Sequence, residues 1–294
     1  MRIIAGMTWK ELLRKKVMLL TLLLTVVFLL AFWFVAQTIG KNDVFDGNGM
    51  ISFSTMIARF TNGAFILMLG FFFGSFVIAF LAIFSSFSAV SGEAEQGIMQ
   101  AMLPRPLPRW KWYFGRWLGY VSLGVIYAGV LFASILLITR YHAAIPQNPA
   151  ALLRAFLLFV STVPLLVSLA MLGSGIFSAL GNGVLMTMLY GAGWLGGMLD
   201  KLSGSLRLEP DGLVMLHNLT GLISMAMPAD SLQRRMTTEL LSIKELSGIV
   251  DITSGSFSML SGGTGPSDTF IIYAIGYTLV ALLIGLYRFQ RRDL

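Results

Sequence analysis

Long apolar runs separated by short polar intervals dominate the chain. Six of them fall near residues 17–36, 63–84, 117–138, 155–180, 184–199 and 270–287. Crossing a hydrocarbon layer as a helix takes about 20 apolar residues. The fifth run is shorter and carries the glycine-rich stretch GAGWLGG at 191–197, so its ends are the least sharply drawn. Hydrocarbon offers the backbone no hydrogen-bond partner, so each crossing is predicted to be a helix. Pro164 is expected to kink the fourth. The pattern predicts an all-α integral membrane protein of six transmembrane helices, forming one domain over 1–294.

Composition agrees with the pattern. Hydrophobic residues make up 56% of the chain and charged residues 12%, with a mean hydropathy of +0.79; soluble domains carry about 25% charged residues. The absence of cysteine excludes a disulfide framework, a thiolate metal site and a cysteine nucleophile. The first apolar run follows basic residues, as in a secretory signal. Its length and the lack of a small-residue cleavage site make a retained first span the expectation.

Charge sets the orientation. With both termini inside, the inner segments hold Arg2, Lys10, Arg14, Lys15, Lys16, Arg105, Arg109, Lys111, Arg116, Arg288, Arg291 and Arg292, twelve of the 21 basic residues. Five of the other nine lie in the long 200–269 segment, where the positive-inside rule is weak. Both termini and the 85–116 loop are therefore expected in the cytoplasm, and 200–269 outside. Trp9, Trp110, Trp112 and Trp117 are expected at the inner headgroups. The net charge of +7 sits beside spans, which suits anionic lipid rather than nucleic acid. The moderately apolar 211–227 is expected to lie along the outer membrane face, with a seventh span as the weighed alternative. Asp211 is expected to cap that helix, Pro228 to end it, and a second to begin at Asp230.

None of the six runs contains Asp, Glu, Lys, Arg or His. Such residues mark ion paths and proton relays, so a proton-coupled carrier or ion channel is not expected. His142 and His217 lie in outer segments and the seventeen methionines are scattered, so no catalytic residue and no metal site is assigned. Gly70 and Gly74 form a G-x-x-x-G, a helix-packing candidate either within one subunit or at a dimer seam. Gly173, Gly175, Gly181 and Gly183 gather around the turn between spans four and five.

The most polar interior stretch, SGEAEQGIMQAMLPRPLPRWKWYFGRWLG at 91–119, lies between spans two and three. Ser91 is placed to cap a helix whose first turn holds Glu93 and Glu95, favourably for the helix dipole. Ile98, Met102 and Leu103 form an apolar stripe. Pro104, Pro106 and Pro108 stop the helix, and Arg109, Lys111 and Arg116 lead into the third span. As an interfacial hairpin it would merely fix two spans; as a stiff acidic helix in the cytoplasm it would offer a grip to a soluble partner.

This stretch resembles the conserved segment of membrane (permease) subunits of type-2 ATP-binding cassette exporters. There the pattern runs close to S-G-E-x-E-x-G-T-L, followed by P-x-x-R. Ser91, Gly92, Glu93, Glu95 and Gly97 match, as do Pro106 and Arg109; Ile98 departs from the usual hydroxyl residue. The basic N-terminal TWKELLRKKVM and the outer MPADSLQR at 227–234 are also similar. The resemblance implies a half-transporter in the cytoplasmic membrane of a prokaryote. It would pair with a second permease copy, alike or unlike, and with two copies of a cognate ATPase subunit that hold the ATP and Mg. The chain itself has no G-x-x-x-x-G-K-[ST] run, the phosphate loop such chemistry needs, so no enzymatic activity or cofactor of its own is expected. The resemblance also implies that the 91–103 helix is the coupling element. An interface helix around Ile4, Thr8 and Leu12 would lie beside it on the inner leaflet. The alternative is a membrane lever acting on an extracytoplasmic protein, for example in maturation of an external metalloenzyme, without moving a solute.

Overall fold

The computed structural model describes residues 2–40, 53–95, 108–143, 148–203, 210–241 and 266–291. Among these, the regular elements are all helices: α1 (Arg2–Arg14), α2 (Lys16–Gly40), α3 (Phe53–Ser86), α4 (Ser91–Glu95), α5 (Arg109–His142), α6 (Pro149–Ser174), α7 (Ala179–Ser203), α8 (Pro210–Ala226), α9 (Ala229–Leu240) and α10 (Asp268–Arg291).

Five of them are long and apolar enough to cross a membrane: α2, α3 from Phe60 to Ser86, α5, α6 and α10. Helices α8 and α9 meet that test only together, as a pair bent by 97° that makes one broken span or a re-entrant loop. The chain is thus an all-helical membrane protein with five to six candidate spans. The fifth expected span, α7, is a helix of 25 residues but is not among the five, because its glycines and Asn182 dilute its apolar content.

Several boundaries differ from expectation for local reasons. Span four was expected to reach residue 180, yet α6 ends at Ser174. The amides of Ile176 and Phe177 fold back onto the Gly173 carbonyl at 2.9 and 2.8 Å, closing a tight turn. At its start, Asn148 accepts a bond from the Ala150 amide at 3.0 Å and Pro149 takes the first position, where a missing N–H costs nothing. Helix α5 begins directly after Pro108, so residues 109–116 form its first two turns rather than a separate entry segment.

Helix α6 is the axis of the bundle, touching α3, α5, α7, α9 and α10. Pro164 lies inside it, and its buried face includes Phe159, Val163, Leu166 and Met171. Helix α2 is peripheral, exposing Leu19, Leu23, Val26 and Leu30. Gly70 and Gly74 are filled from within the chain: a β-carbon on Gly70 would meet Phe32 and Ile135, and one on Gly74 would meet Ile135 at 2.9 Å. In this chain the pair seats side chains of α2 and α5, so it is packing within one subunit.

The segment expected along the outer membrane face forms α8, which exposes Val214, Met215, Leu219 and Leu222. It packs antiparallel to α7, with Ile223 over Gly196 and Met227 over Gly193. Pro210 opens it and Asp211 falls inside its first turn rather than capping it. The glycine-rich run of α7 is the seat for the bend between α8 and α9. Ending a helix inside a bundle strands its last carbonyls. Tyr273 and Tyr277 of α10 donate to the Met225 and Ala226 carbonyls at 2.7 and 2.8 Å and satisfy them.

Candidate functional site

The polar stretch singled out by sequence enters the structure through α4. Helix α3 ends at Ser86, residues 87–90 turn, and α4 begins at Ser91. A new helix presents unbonded N–H groups in its first turn. Here the amides of Val90 and Ser91 both donate to the Ser174 hydroxyl at 2.9 Å, and the Ser91 hydroxyl lies 3.1 Å from it. All three residues are buried. A residue at the end of α6 therefore caps α4.

The reverse contact also exists. The Glu95 carboxylate accepts a hydrogen bond from the Ala179 amide at 3.0 Å, the first residue of α7. Glu95 was expected to cap its own helix or pair with a partner's cation; in the structure it caps α7, and it is exposed. Asn182 completes the clasp. Its amide nitrogen donates to the Phe87 carbonyl at 2.6 Å and to the Ala170 carbonyl at 2.8 Å. Gly173 leaves the space in which the Asn182 oxygen sits. Gly92 approaches Ser88 closely, its amide 3.0 Å from the Ser88 carbonyl. An apolar groove of about 340 Å³ adjoins the clasp, lined by Phe84, Phe87, Leu180, Val184 and Met188 among others.

The Glu93 side chain, Gly97, Ile98, Met102, Pro104 and Pro106 lie outside the described residues. Arg109 donates to the Gln290 carbonyl at 3.0 Å. That places a cation at the C-terminal end of α10, where the helix dipole favours it.

Helix α1, where the resemblance implied an interface helix around Ile4, Thr8 and Leu12, lies against α5. Thr8 and Leu12 are buried and Ile4 packs on the core. Gly115 and Gly119 of α5 make room for Ile4 and Thr8; β-carbons there would come within 2.8 and 2.7 Å of the neighbouring side chains. Arg116, expected at the headgroups, is buried. It donates to Glu11 at 2.6 Å and to the Tyr120 hydroxyl at 3.2 Å, with the Trp112 ring 5.3 Å from its guanidinium. Burial alone would raise the Glu11 carboxyl, but hydrogen bonds from Lys15 and Arg116 and their charges hold it below its ordinary value. Three of the four tryptophans expected at the headgroups also make contacts to neighbouring helices. Trp9 donates to Ser122 at 2.8 Å, Trp117 donates to Ser168 at 2.9 Å, and Trp112 stacks on Phe289 at 5.0 Å. Each indole N–H or ring finds its partner on a neighbouring helix, so one face of the first turns of α5, with Trp112, Tyr113 and Arg116, is buried in the bundle while Trp110 and Lys111 stay exposed.

At the other end of the bundle, no residue from 227 to 241 is exposed, so the charges of α9 are enclosed by the chain. Asp230 pairs with Arg234 at 3.1 Å, Arg235 with Glu239 at 2.8 Å and also with Asp268. Gln233 donates to the Phe71 carbonyl at 3.2 Å, eleven residues and about 16 Å into the α3 span. The six apolar runs carry no charge, but α9 brings charges into the bundle beside them, neutralised in pairs. Sequence reading missed them because α9 lies outside the long apolar runs. A cleft of about 450 Å³ opens between α6, α9 and α10, with Arg154, Arg235, Glu239 and Asp268 beside Leu157 and Ile271. Among the described residues, no group of three or more metal-ligating His, Asp or Glu stands together.

No curated protein matches the chain. The family model described as ABC-2 family transporter protein matches residues 2–294, and the chain therefore belongs to the ABC-2 family of transporter membrane proteins.

Proposed function

We propose that the chain is the membrane-spanning permease subunit of an ABC exporter, driven by ATP hydrolysis in a separate nucleotide-binding subunit that holds the ATP and Mg. Two ATPase copies grip two permease copies from the cytoplasm, and Ser91–Arg109 is the segment gripped. The observation that supports this best is the cross-capped clasp. The first amides of α4 and the Glu95 carboxylate are both tied to the α6–α7 turn. A helix braced in this way transmits a pull instead of swinging freely. Glu93 and Glu95 supply negative charge for basic groups of the ATPase, and the segment through Pro104 and Pro106 stiffens the return to α5.

Membership of the ABC-2 family and a sequence without the G-x-x-x-x-G-K-[ST] run support assigning ATP hydrolysis to a partner. The test is to purify the chain alone and with its ATPase subunit in lipid nanodiscs. ATP hydrolysis is expected only in the complex; hydrolysis by the chain alone would overturn the assignment.

A second reading, a lever acting on an external protein, draws support from the outer cleft, whose ion pairs suit a protein surface better than an apolar cargo. Retained outer-protein binding in vesicles that move no solute would favour it.

A further inference from the structure

Three contacts join the 87–95 segment to the 170–182 segment, and each spans more than 80 residues of sequence: Asn182 to Phe87, Ser174 to Val90 and Ser91, and Glu95 to Ala179. The capping is reciprocal. The residue that ends α6 supplies the acceptor for the first amides of α4, and the residue that ends the described part of α4 supplies the acceptor for the first amide of α7. Neither helix start is satisfied by its own chain neighbours in these bonds.

From this arrangement we infer that the α6–α7 turn is part of the coupling element, with Ser174 as its positioning residue. A pull on α4 is then delivered to α6 and α7, in addition to the α3 and α5 helices that flank it in sequence. The inference rests on the proposed coupling role of α4.

The physical argument is one of relative stiffness. Val90, Ser91, Ser174 and Asn182 are all buried, with Val90, Ser174 and Asn182 at 0% exposure. Displacing α4 from the turn would strand two amides and the Phe87 carbonyl away from water, and unsatisfied buried groups cost about 1–3 kcal/mol each. Moving the clasp as one body strands none of them. Helix α6 is the axis that touches five other helices, so a load entering at Ser174 reaches the α9–α10 end of the bundle through a continuous packed helix. The charged groups of α9 and the outer cleft stand at that far end.

The test uses the full chain in complex with its ATPase in nanodiscs, and it exploits the absence of native cysteine. A Leu153→Cys reporter lies on an exposed face of α6, twenty-one residues and about 31 Å from Ser174 along the helix. Its rate of reaction with a maleimide is measured without nucleotide and after trapping with ATP and vanadate. The inference predicts a nucleotide-dependent change in the reporter alone, loss of that change on adding Ser174→Ala, and its return with Ser174→Thr, which keeps the hydroxyl acceptor. Persistence of the full change in the Ser174→Ala protein would overturn the inference while leaving the coupling role of α4 intact. No change in the reporter protein itself would overturn both. In a second arm, Ser91→Cys and Ser174→Cys are combined without the reporter and oxidised to a disulfide. The locked complex is expected to hydrolyse ATP at the rate of the same protein reduced. Arrest on oxidation would show that the clasp opens in each cycle, and would contradict its moving as one body.

Discussion

Asn182 fills the space left by the missing side chain of Gly173, and from there bonds the Phe87 carbonyl at 2.6 Å. One missing methyl group thus determines whether the turn after α3 is tied to α6 and α7. The Gly173→Ala substitution would place its β-carbon on the Asn182 oxygen. Overpacking of this kind costs about 1–3 kcal/mol. The variant should melt at a lower temperature in detergent, and the Gly173→Ala/Asn182→Ala double variant should cost less than the two single changes added together. Simple additivity would mean that the two residues do not share the space.

Glu95 serves two readings that a pair of variants separates. As an acceptor for the Ala179 amide it stabilises the start of α7, and losing such a cap costs about 1 kcal/mol. Glu95→Ala should lower the melting temperature of the isolated chain. Glu95→Gln keeps an acceptor oxygen and should not. If its charge also meets a cation of the ATPase, Glu95→Gln should weaken assembly without changing stability, read by titrating the ATPase against the chain. Unchanged affinity would reduce Glu95 to a cap.

Helix α1 reaches α5 through two glycines. Gly119→Val would press on Thr8, whose β-carbon stands 2.7 Å from the nearest position of a new side-chain carbon. We expect α1 to lift from α5 and become accessible to protease, with a stability loss of about 1–3 kcal/mol. An unchanged cleavage pattern would show that α1 is held by its ion pair alone.

That ion pair gives a pH dependence with a definite sign. Glu11 is held below its ordinary value by Lys15 and Arg116, with the Tyr120 hydroxyl on the same guanidinium. A depressed carboxylate contributes stability above its unfolded pKa, about 4.3. The contribution is lost as pH falls through the lower folded value. Stability should therefore drop on acidification below about pH 4, and Glu11→Gln should remove that part of the slope. A slope identical in both proteins would contradict the assignment.

Much of this was legible in the sequence, for identifiable reasons. The apolar runs forecast α2, α3, α5, α6 and α10, because hydrocarbon leaves the backbone no choice but helix. The resemblance pointed to a helix around Ile4, Thr8 and Leu12, and α1 (Arg2–Arg14) is a helix there; that Thr8 and Leu12 form its buried face was not forecast. What escaped were contacts between distant segments. Nothing local to Ser174 or Asn182 announces that they hold residues 87–91, since both read as small polar residues in a glycine-rich turn. The basic-aromatic entry to α5 read as a headgroup anchor because Arg116 and Trp112 suit either a membrane interface or a packed helix. A helix was expected from Asp230 and α9 begins one residue earlier, but the pairing of its charges was hidden, since low hydropathy in ADSLQRRMTTEL gives no sign of burial.

The account depends most on α4 and its continuation being held by a separate ATP-hydrolysing protein. The most direct measurement places a photo-activated crosslinking residue at Met102 in the full chain in its native membrane, and identifies what it captures by mass spectrometry. The account predicts a covalent adduct with a nucleotide-binding subunit, formed in greater yield than from the same group placed at Leu222 on α8. Adducts only with lipid or with the chain itself, in membranes where that subunit is present, would contradict it.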